Sequence, residues 1–411
     1  MTPEIASVLA TCEGTIYLSS GTLSGEVERI LAASDTAYFR VAPSVINTGE
    51  FAAKLVASHM FGHKPPEMII WPKLREISVA VAKELAVFPD VIVLPAVETV
   101  APDVANILAE GKGRPVLPAL RELASVPLAK KLAETAVTSY LAGDPDNSEG
   151  WGVRGKDGLR LPRLTRVTPD IARSLASHNS ELLALNGLLA ITDEVAEALA
   201  NFTGDLSLNG ITELSARSEQ LLGLGRCKHI SVPKVRRLTD GAFAKKAFLN
   251  EIESASVDAL QGHVEKQGTG AMPGSMHLKL PELTPEQAAV LAKRQGGFGD
   301  IIFLDSVKQL DAATARELAK ARIGISLCGL REITPEVAAA FASHSEAVYL
   351  MGVEKVPVEL ARVLAEKKTG WVFFDGRFDF RKEKMPFELP EESAAILQKN
   401  PQVKLPRYLR P

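Results

Sequence analysis

The stretch that decides the fold is LLALNGLLAITDEVAEALA, residues 182–200, because the same pattern recurs along the chain. Three further copies are DLSLNGITELSARSEQLLG at 205–223, IGISLCGLREITPEVAAAFA at 323–342 and AVYLMGVEKVPVELARVLA at 347–365. Internal repetition with a period of roughly 20–50 residues is typical of solenoids, in which each repeat is one small structural unit. The sequence therefore predicts a repeat architecture.

One apolar landmark residue, the second buried residue of each predicted strand, gives the period. Leu185 and Leu208 are 23 residues apart, and so are Leu304 and Leu327. The predicted landmarks are Leu18, Val41, Trp71, Leu94, Leu117, Leu141, Leu161, Leu185, Leu208, Val232, Leu280, Leu304, Leu327, Leu350 and Phe374. The long interval before Leu280 leaves room for one degenerate repeat, at about 249–267.

Each copy has two halves with different periodicities. Ile325 and Leu327 alternate with Ser326, which predicts a very short strand with one buried face. Val337 and Phe341 then follow at helical spacing among small alanines, which predicts an amphipathic helix. A strand and a helix this short cannot bury a core alone, so neighbouring repeats must stack.

Helix start signals separate the two halves. Thr caps free amides, Pro suits the first helical position and an acid favours the positive end of the helix dipole. These signals are Thr168-Pro169-Asp170, Thr192-Asp193-Glu194, Thr284-Pro285-Glu286 and Thr334-Pro335-Glu336. Ser78 and Ser215 are predicted to cap their own helices.

This pattern resembles the leucine-rich-repeat family, and it is most similar to the bacterial-type variant with LxLxGLxxLTxE units. The segment LSLNGI at 206–211 carries the resemblance, which covers most of residues 14–376. It implies an α/β solenoid with a parallel β-sheet on the concave face and helices on the convex face, acting as a protein-interaction scaffold. One departure from the family predicts an apolar ladder where the usual pattern has Asn or Cys: Leu188, Ile211, Leu330 and Val353.

Proline follows the landmark in many repeats. Because proline donates no backbone amide, each strand should end there. The prolines concerned are Pro72, Pro95, Pro118, Pro162, Pro233 and Pro281.

The domain organisation predicted from these patterns is one continuous solenoid followed by a short tail. The solenoid covers residues 1–375 and includes an insert loop at 143–158 and a degenerate repeat with a flexible loop at 239–275. Residues 376–411 form a C-terminal cap or tail, since a solenoid needs a polar terminal unit. A first helix over Pro3–Thr11 either caps the N-terminal end or follows further sequence.

Composition places the chain among folded globular proteins. Its 411 residues are 46% hydrophobic and 24% charged, with a formal net charge of −3. There is no basic stripe for nucleic acid, and no apolar run long enough to span a membrane. The three scattered cysteines, Cys12, Cys227 and Cys328, give no disulfide framework, so a cytoplasmic protein is expected. The sequence does not indicate the oligomeric state.

No motif commits the chain to chemistry, so we predict no enzyme, cofactor or metal. The acidic loop at 144–149 lacks EF-hand spacing, and the pair His59 and His63 lies where Gly62 and a Pro pair end the helix. His178 and His344 follow repeat helices and are expected to have structural roles. Cys328 has no base in its repeat and is expected to be an inert thiol.

The clearest functional signal is the outer face of the sheet. The residue before each landmark should point outward. This column reads Tyr17, Arg40, Ile70, Val93, Val116, Tyr140, Arg160, Ala184, Ser207, Ser231, Lys279, Phe303, Ser326, Tyr349 and Phe373. Its C-terminal end is aromatic, and the predicted partner-binding residues there are Phe303, Asp305, Tyr349, Met351, Phe373 and Asp375.

Three alternatives stay open at this point. The C-terminal tail could cover the aromatic column in place of a partner. A small-molecule or carbohydrate sensor could use the loop around Trp151. An enzyme could be built on the inserts, if folding gathers titratable residues there.

Overall fold

The computed structural model describes residues 1–18, 22–35, 37–41, 45–60, 68–134, 158–268, 275–294, 299–374 and 388–405. The chain divides into two compact units, Met1–Val232 and Pro233–Pro411. Both units alternate short strands with helices; within each unit consecutive helices pack against each other, and the strands pair in separate parallel groups. The fold is therefore an α/β repeat solenoid of the leucine-rich-repeat type.

The first unit contains strands β1–β9 and helices α1–α9. The strands are β1 Gly14–Leu18, β2 Ala37–Val41, β3 Met68–Ile70, β4 Val91–Val93, β5 Arg114–Val116, β6 Gly158–Arg160, β7 Leu182–Ala184, β8 Asp205–Ser207 and β9 Ile230–Ser231. The helices are α1 Pro3–Ala10, α2 Gly25–Ala32, α3 Gly49–Met60, α4 Val79–Val87, α5 Pro102–Glu110, α6 Val126–Glu134, α7 Pro169–Leu175, α8 Asp193–Leu199 and α9 Ala216–Leu224. Parallel pairing runs through β1–β2, through β3–β4–β5 and through β6–β7–β8–β9.

The second unit contains strands β10–β18 and helices α10–α16. The strands are β10 Arg237–Leu238, β11 Ala247–Phe248, β12 Ser254–Ala255, β13 Met276–His277, β14 Ile301–Phe303, β15 Gly324–Ser326, β16 Val348–Tyr349, β17 Val372–Phe373 and β18 Val403–Lys404. The helices are α10 Gly241–Lys246, α11 Val257–Gly268, α12 Pro285–Ala292, α13 Ala312–Leu318, α14 Pro335–Ala342, α15 Val358–Leu364 and α16 Glu391–Gln398. Strands β13 to β18 form a six-stranded parallel sheet in chain order, and β10 pairs with β12.

In many repeats a backbone hydrogen bond from the landmark amide joins one repeat to the next. Leu304 N donates to Ser326 O at 2.8 Å, and Leu327 N donates to Tyr349 O at 2.9 Å. The landmark side chains Leu185, Leu208, Leu304, Leu327 and Leu350 are fully buried. The predicted parallel strands and buried leucines are confirmed. The prediction of one long sheet is wrong for the described residues, where the strands form several separate sheets and β10 pairs with β12 apart from the six-stranded sheet β13–β18. The strand expected at Leu141 lies outside the described residues.

The turn after each strand closes over the predicted apolar ladder. Leu330 N donates to Leu327 O at 3.1 Å, and the Leu330 side chain is buried. Leu188, Ile211 and Val353 occupy the same position and are also buried. The strands that precede Pro72, Pro95, Pro118, Pro162 and Pro233 end one residue before the landmark. Strands β7, β8, β14 and β15 end at the same position with no proline after the landmark, so the structure does not attribute the strand ends to proline. Pro281 lies further from its strand, because β13 ends at His277.

One landmark prediction is wrong, because β13 pairs two residues earlier than expected. Met276 pairs with Ile302 and His277 with Phe303, while Leu278 N donates to Phe303 O at 3.0 Å. Leu278, not Leu280, is therefore the landmark, and the outward residue is His277 in place of Lys279. A shift of two residues keeps the same side chains on the same face, so the alternation of Leu278, Lys279 and Leu280 did not distinguish the two registers.

The predicted helix caps are confirmed. The hydroxyl of Thr334 accepts a hydrogen bond from Val337 N at 3.4 Å, and Thr168, Thr192 and Thr284 cap their helices in the same way. Ser78 and Ser215 also accept hydrogen bonds as N-caps. These caps satisfy amides that an isolated helix end leaves unpaired.

Polar side chains, two of them buried, connect the helix ends of consecutive repeats in the second unit. Both ring nitrogens of His344 lie near carbonyl oxygens, Nδ1 at 2.9 Å from Ala319 O and Nε2 at 3.1 Å from Ile323 O. Lys367 Nζ donates to Phe341 O at 2.9 Å and to His344 O at 2.7 Å. Asn400 Nδ2 donates to carbonyl oxygens of the preceding repeat, Ala365 O at 2.8 Å and Lys367 O at 2.9 Å. We call His344, Lys367 and Asn400 the helix-end ladder; it gives His344 the predicted structural role.

The landmark leucines should dominate local stability. Leu208→Ala should reduce the free energy of unfolding by about 2–5 kcal/mol, because it leaves a cavity between stacked repeats. Leu189→Ala is the control, since Leu189 is 69% exposed, and should change stability by about 0.5 kcal/mol or less. Urea unfolding followed by circular dichroism measures both; equal effects would contradict the buried landmark row.

The helix-end ladder should make stability depend on pH. Burial lowers the pKa of Lys367 from 10.5 to about 8. Between these values the unfolded chain binds more protons than the folded chain, so this residue makes stability rise as the pH increases from about 8 to 10.5. Between pH 8 and 10 the melting temperature of the Lys367→Met variant should therefore rise less than that of the wild type. Lys368→Met, at the exposed neighbour, should keep the wild-type pH dependence, and loss of the slope in both variants would contradict the assignment.

Candidate partner-binding face of the second unit

The outer face of the β13–β18 sheet carries a row of outward side chains fixed by the strand register. Pairing places Phe303 opposite Ser326, Ser326 opposite Tyr349, and Tyr349 opposite Phe373. The row begins at His277 and ends at Lys404. We call these six residues the outer row.

Aromatic rings in the outer row stack in two pairs. The rings of His277 and Phe303 lie 4.2 Å apart and 4° from parallel. Those of Tyr349 and Phe373 lie 4.8 Å apart and 8° from parallel. Trp371 is 45% exposed and tilts against Phe373 at 6.3 Å. Each pair joins neighbouring strands, so the spacing of the backbone sets the stacking distance.

A polar ladder runs beside the outer row at Asp305 and Cys328, each one residue beyond its landmark. Asp305 Oδ1 accepts from Ser326 Oγ at 2.6 Å and from Cys328 N at 2.9 Å. The first unit repeats this arrangement with an amide. Asn186 Oδ1 there accepts from Ser207 Oγ at 2.7 Å and from Asn209 N at 3.1 Å. A neutral amide at the equivalent position therefore accepts the same two kinds of hydrogen bond that the Asp305 carboxylate accepts.

Some side chains that the sequence predicts to be exposed on the outer face are buried, and for two serines the hydrogen bonds of the polar ladder explain why. Several residues expected to be exposed on the outer face are buried: Val93, Arg160, Ala184, Ser207, Ser231 and Ser326. Ser207 and Ser326 are short, and the acceptors that bind their hydroxyls cover them. Tyr17 and Ile70 are exposed as expected.

Cys328 lies between Ser326 and Asp305 on this face. Burial raises the pKa of its thiol to about 11, and the nearby Asp305 carboxylate acts in the same direction. The thiol therefore stays protonated at neutral pH, which agrees with the expectation of an inert cysteine.

The structure brings together most of the residues predicted for partner binding. Phe303, Tyr349 and Phe373 share the outer row and are partly exposed, while Asp305 and Met351 lie in the next row. Asp375 lies outside the described residues. Sequence reasoning missed His277, Trp371 and Lys404, which also belong to this face. His277 was hidden by the register shift of β13, and Lys404 by the expectation of a separate tail.

The described ranges contain no group of three or more His, Cys, Asp and Glu side chains placed to hold a metal ion. The acidic loop at 144–149, His63 and Trp151 lie outside those ranges, so the interpretations given for them are untested. In the same part of the chain, no helix has the length and apolar character needed to cross a membrane. The cytoplasmic location stays a prediction.

Comparison with known proteins gives likeness of fold only. No protein-family model matches the sequence, and no curated protein is similar to it. Fourteen chains of known structure are similar in fold. One is an internalin, InlF, from Listeria monocytogenes, with a TM-score of 0.34 and 10% sequence identity over 93% of this chain and 90% of that chain. We draw no functional conclusion from a likeness this distant.

Two substitutions at Asp305 should separate its hydrogen bonds from its charge. Asp305→Ala should lower the free energy of unfolding by about 1–3 kcal/mol, because Cys328 N and Ser326 Oγ lose their acceptor. Asp305→Asn should keep stability within about 0.5 kcal/mol of the wild type, since Asn186 accepts the equivalent hydrogen bonds. Chemical unfolding of both variants is the measurement, and a strongly destabilised Asn variant would show that the charge itself supports the fold.

Proposed function

We propose that the chain is a protein-interaction scaffold that holds a partner on the outer face of the β13–β18 sheet and performs no catalysis. The observation that carries this proposal is the pair of ring stacks, His277 with Phe303 and Tyr349 with Phe373, on a partly exposed sheet face. Exposed aromatic side chains that cluster on one face supply the large apolar area typical of binding anchors.

Preorganisation supports the same proposal. The landmark hydrogen bonds fix the backbone under each ring, and each stacked partner restricts its neighbour's rotation. Side chains ordered before binding lose little conformational entropy when a partner arrives. The face therefore needs no rearrangement before it presents its anchors.

We further propose that the C-terminal residues cap the solenoid. Helix α16 packs on α15, and β18 pairs with β17, so the last described residues continue both layers. Asn400 binds carbonyl oxygens of the preceding repeat, and Glu391 and Glu392 give the first turn of α16 an acidic character. Polar terminal units of this kind protect the end of a repeat stack.

Partner capture tests the binding face. The purified chain should retain a partner from native lysate, and Tyr349→Ala should weaken binding of the identified partner by about 1–4 kcal/mol in titration calorimetry. Tyr17→Ala is the matched control, because Tyr17 is 78% exposed on the outward position of β1 in the first unit. That variant should bind as the wild type does.

The alternative that the chain's own tail covers the rings predicts a different result. In that case Tyr349→Ala would lower the melting temperature and expose the chain near Phe387 and Leu389 to protease. A stable, protease-resistant Tyr349→Ala variant that still binds the partner at full affinity would contradict the proposed binding face.

A further inference from the structure

We propose that two copies of this chain associate through the N-terminal ends of their first units, with helix α1 of one copy packed antiparallel on α1 of the other. The contact consists mainly of Ile5 and Val8, which are 53% and 66% exposed. We call these two residues the end pair. The inference does not depend on the proposed binding face, because that face lies on the other unit.

The direction in which the end pair points follows from equivalent positions in other helices. Ser218 and Gln287 each lie three residues after the N-cap of their helix. Ser218 Oγ donates to Asp193 Oδ1 at 2.7 Å, in the preceding repeat. Gln287 Nε2 donates to Ala255 O at 2.8 Å, also in the preceding repeat. Ile5 holds this position in α1, so it points away from α2 and out of the N-terminal end of the stack.

Interior helices bury the positions that α1 leaves exposed. Val195 and Ala198 hold the positions of the end pair in α8, where they are 2% and 3% exposed. The end pair therefore continues the surface through which interior repeats stack on one another. Among the described strands β1 pairs with β2 alone, so the sheet also has an open edge at this end. Covering such an apolar surface removes it from water and favours association.

The C-terminal end of the described chain does not match this surface. The residue eight positions after the N-cap is Ala200 in α8, and a Cβ on Gly225 of the next repeat would lie 2.6 Å from the Ala200 Cβ. A small side chain at this position thus allows the next repeat to pack closely. In α16 the same position holds Gln398, which is exposed and polar. The apolar end pair therefore finds its complement on another N-terminal end.

A twofold axis makes the end pair complementary to itself. Side chains three residues apart lie on one face of a helix. When two copies of α1 run antiparallel, Ile5 of each copy lies against Val8 of the other. Glu4 is the charged residue of α1, and its equivalent Glu194 stays exposed in α8, so Glu4 lies at the rim of the contact. A twofold contact closes after two copies, whereas stacking of an N-terminal end on a C-terminal end would continue without limit.

Sedimentation equilibrium of the full chain tests the inference. As the protein concentration rises into the high micromolar range, the average mass should rise from the chain mass of 44.1 kDa towards twice that value and no further. A mass that stays at the monomer value would overturn the inference. Continued growth beyond the dimer would also overturn it, because it would indicate stacking of unlike ends.

Two charge substitutions test the antiparallel arrangement. Val8→Glu alone and Ile5→Lys alone should each weaken dimerisation by at least about a hundredfold, because the twofold axis buries two unpaired charges in every dimer. An equal mixture of the two variants should restore dimers. In the mixed dimer the new carboxylate faces the new ammonium group across one half of the contact, while Ile5 and Val8 stay apolar across the other half.

Val87→Glu is the matched control, because Val87 is 60% exposed on α4 and undergoes the same chemical change. This variant should dimerise as the wild type does, and melting followed by circular dichroism should show that all three variants are folded. An intact Val8→Glu dimer, or a mixture that dimerises no better than its components, would refute the antiparallel contact. A chain that passes these tests but captures no partner would refute only the proposed function.

Discussion

The backbone hydrogen bond between a landmark amide and the next strand is the contact on which the rest of the structure depends. It holds Leu327 against Tyr349 and Leu350 against Phe373 at normal hydrogen-bond distance. Glycine permits this approach at the turn, because a Cβ on Gly329 would lie 2.2 Å from Asp305 O. Every feature of the outer face then inherits one spacing, so rings that occupy the same position in neighbouring repeats must stack.

Polar side chains form hydrogen bonds at the outer face and at the helix ends of the stacked repeats, whereas the interior between them is apolar. Leu330 and its equivalents fill the turn position with buried apolar side chains. These apolar turn residues supply no side-chain hydrogen bonds. On the outer face, Asp305 and the asparagines bind backbone amides, and at the helix ends the helix-end ladder binds backbone carbonyl oxygens. Because buried carbonyls need donors, the long side chain of Lys367 satisfies two of them at the cost of burying an amine.

Much of the fold could be predicted from the sequence because its signals are local. Alternation around Leu208 and Leu327 identifies the strands, and Thr-Pro-Glu at Thr334 identifies a helix start, each within a few residues. The register of β13 could not be predicted, because a shift of two residues preserves the alternation. The aromatic part of the binding face was visible in the sequence, but its contacts were not. The bond between Ser326 and Asp305 crosses 21 positions, and only stacked repeats bring the two residues together.

The fixed step of the sheet also limits what an extended partner segment can do on it. Equivalent positions recur about every 4.8 Å across the strands, whereas side chains on one face of an extended chain recur about every 6.8 Å. The two intervals first come close to phase after about 14 Å, where three strand spacings of about 4.8 Å nearly match two side-chain intervals of about 6.8 Å. An extended segment that lies across the strands with one side chain over β15 would therefore bring another side chain near β18, three strands away, and none directly over β14, β16 or β17. The fixed strand spacing thus disfavours an extended partner that places the same side chain on every strand of this sheet.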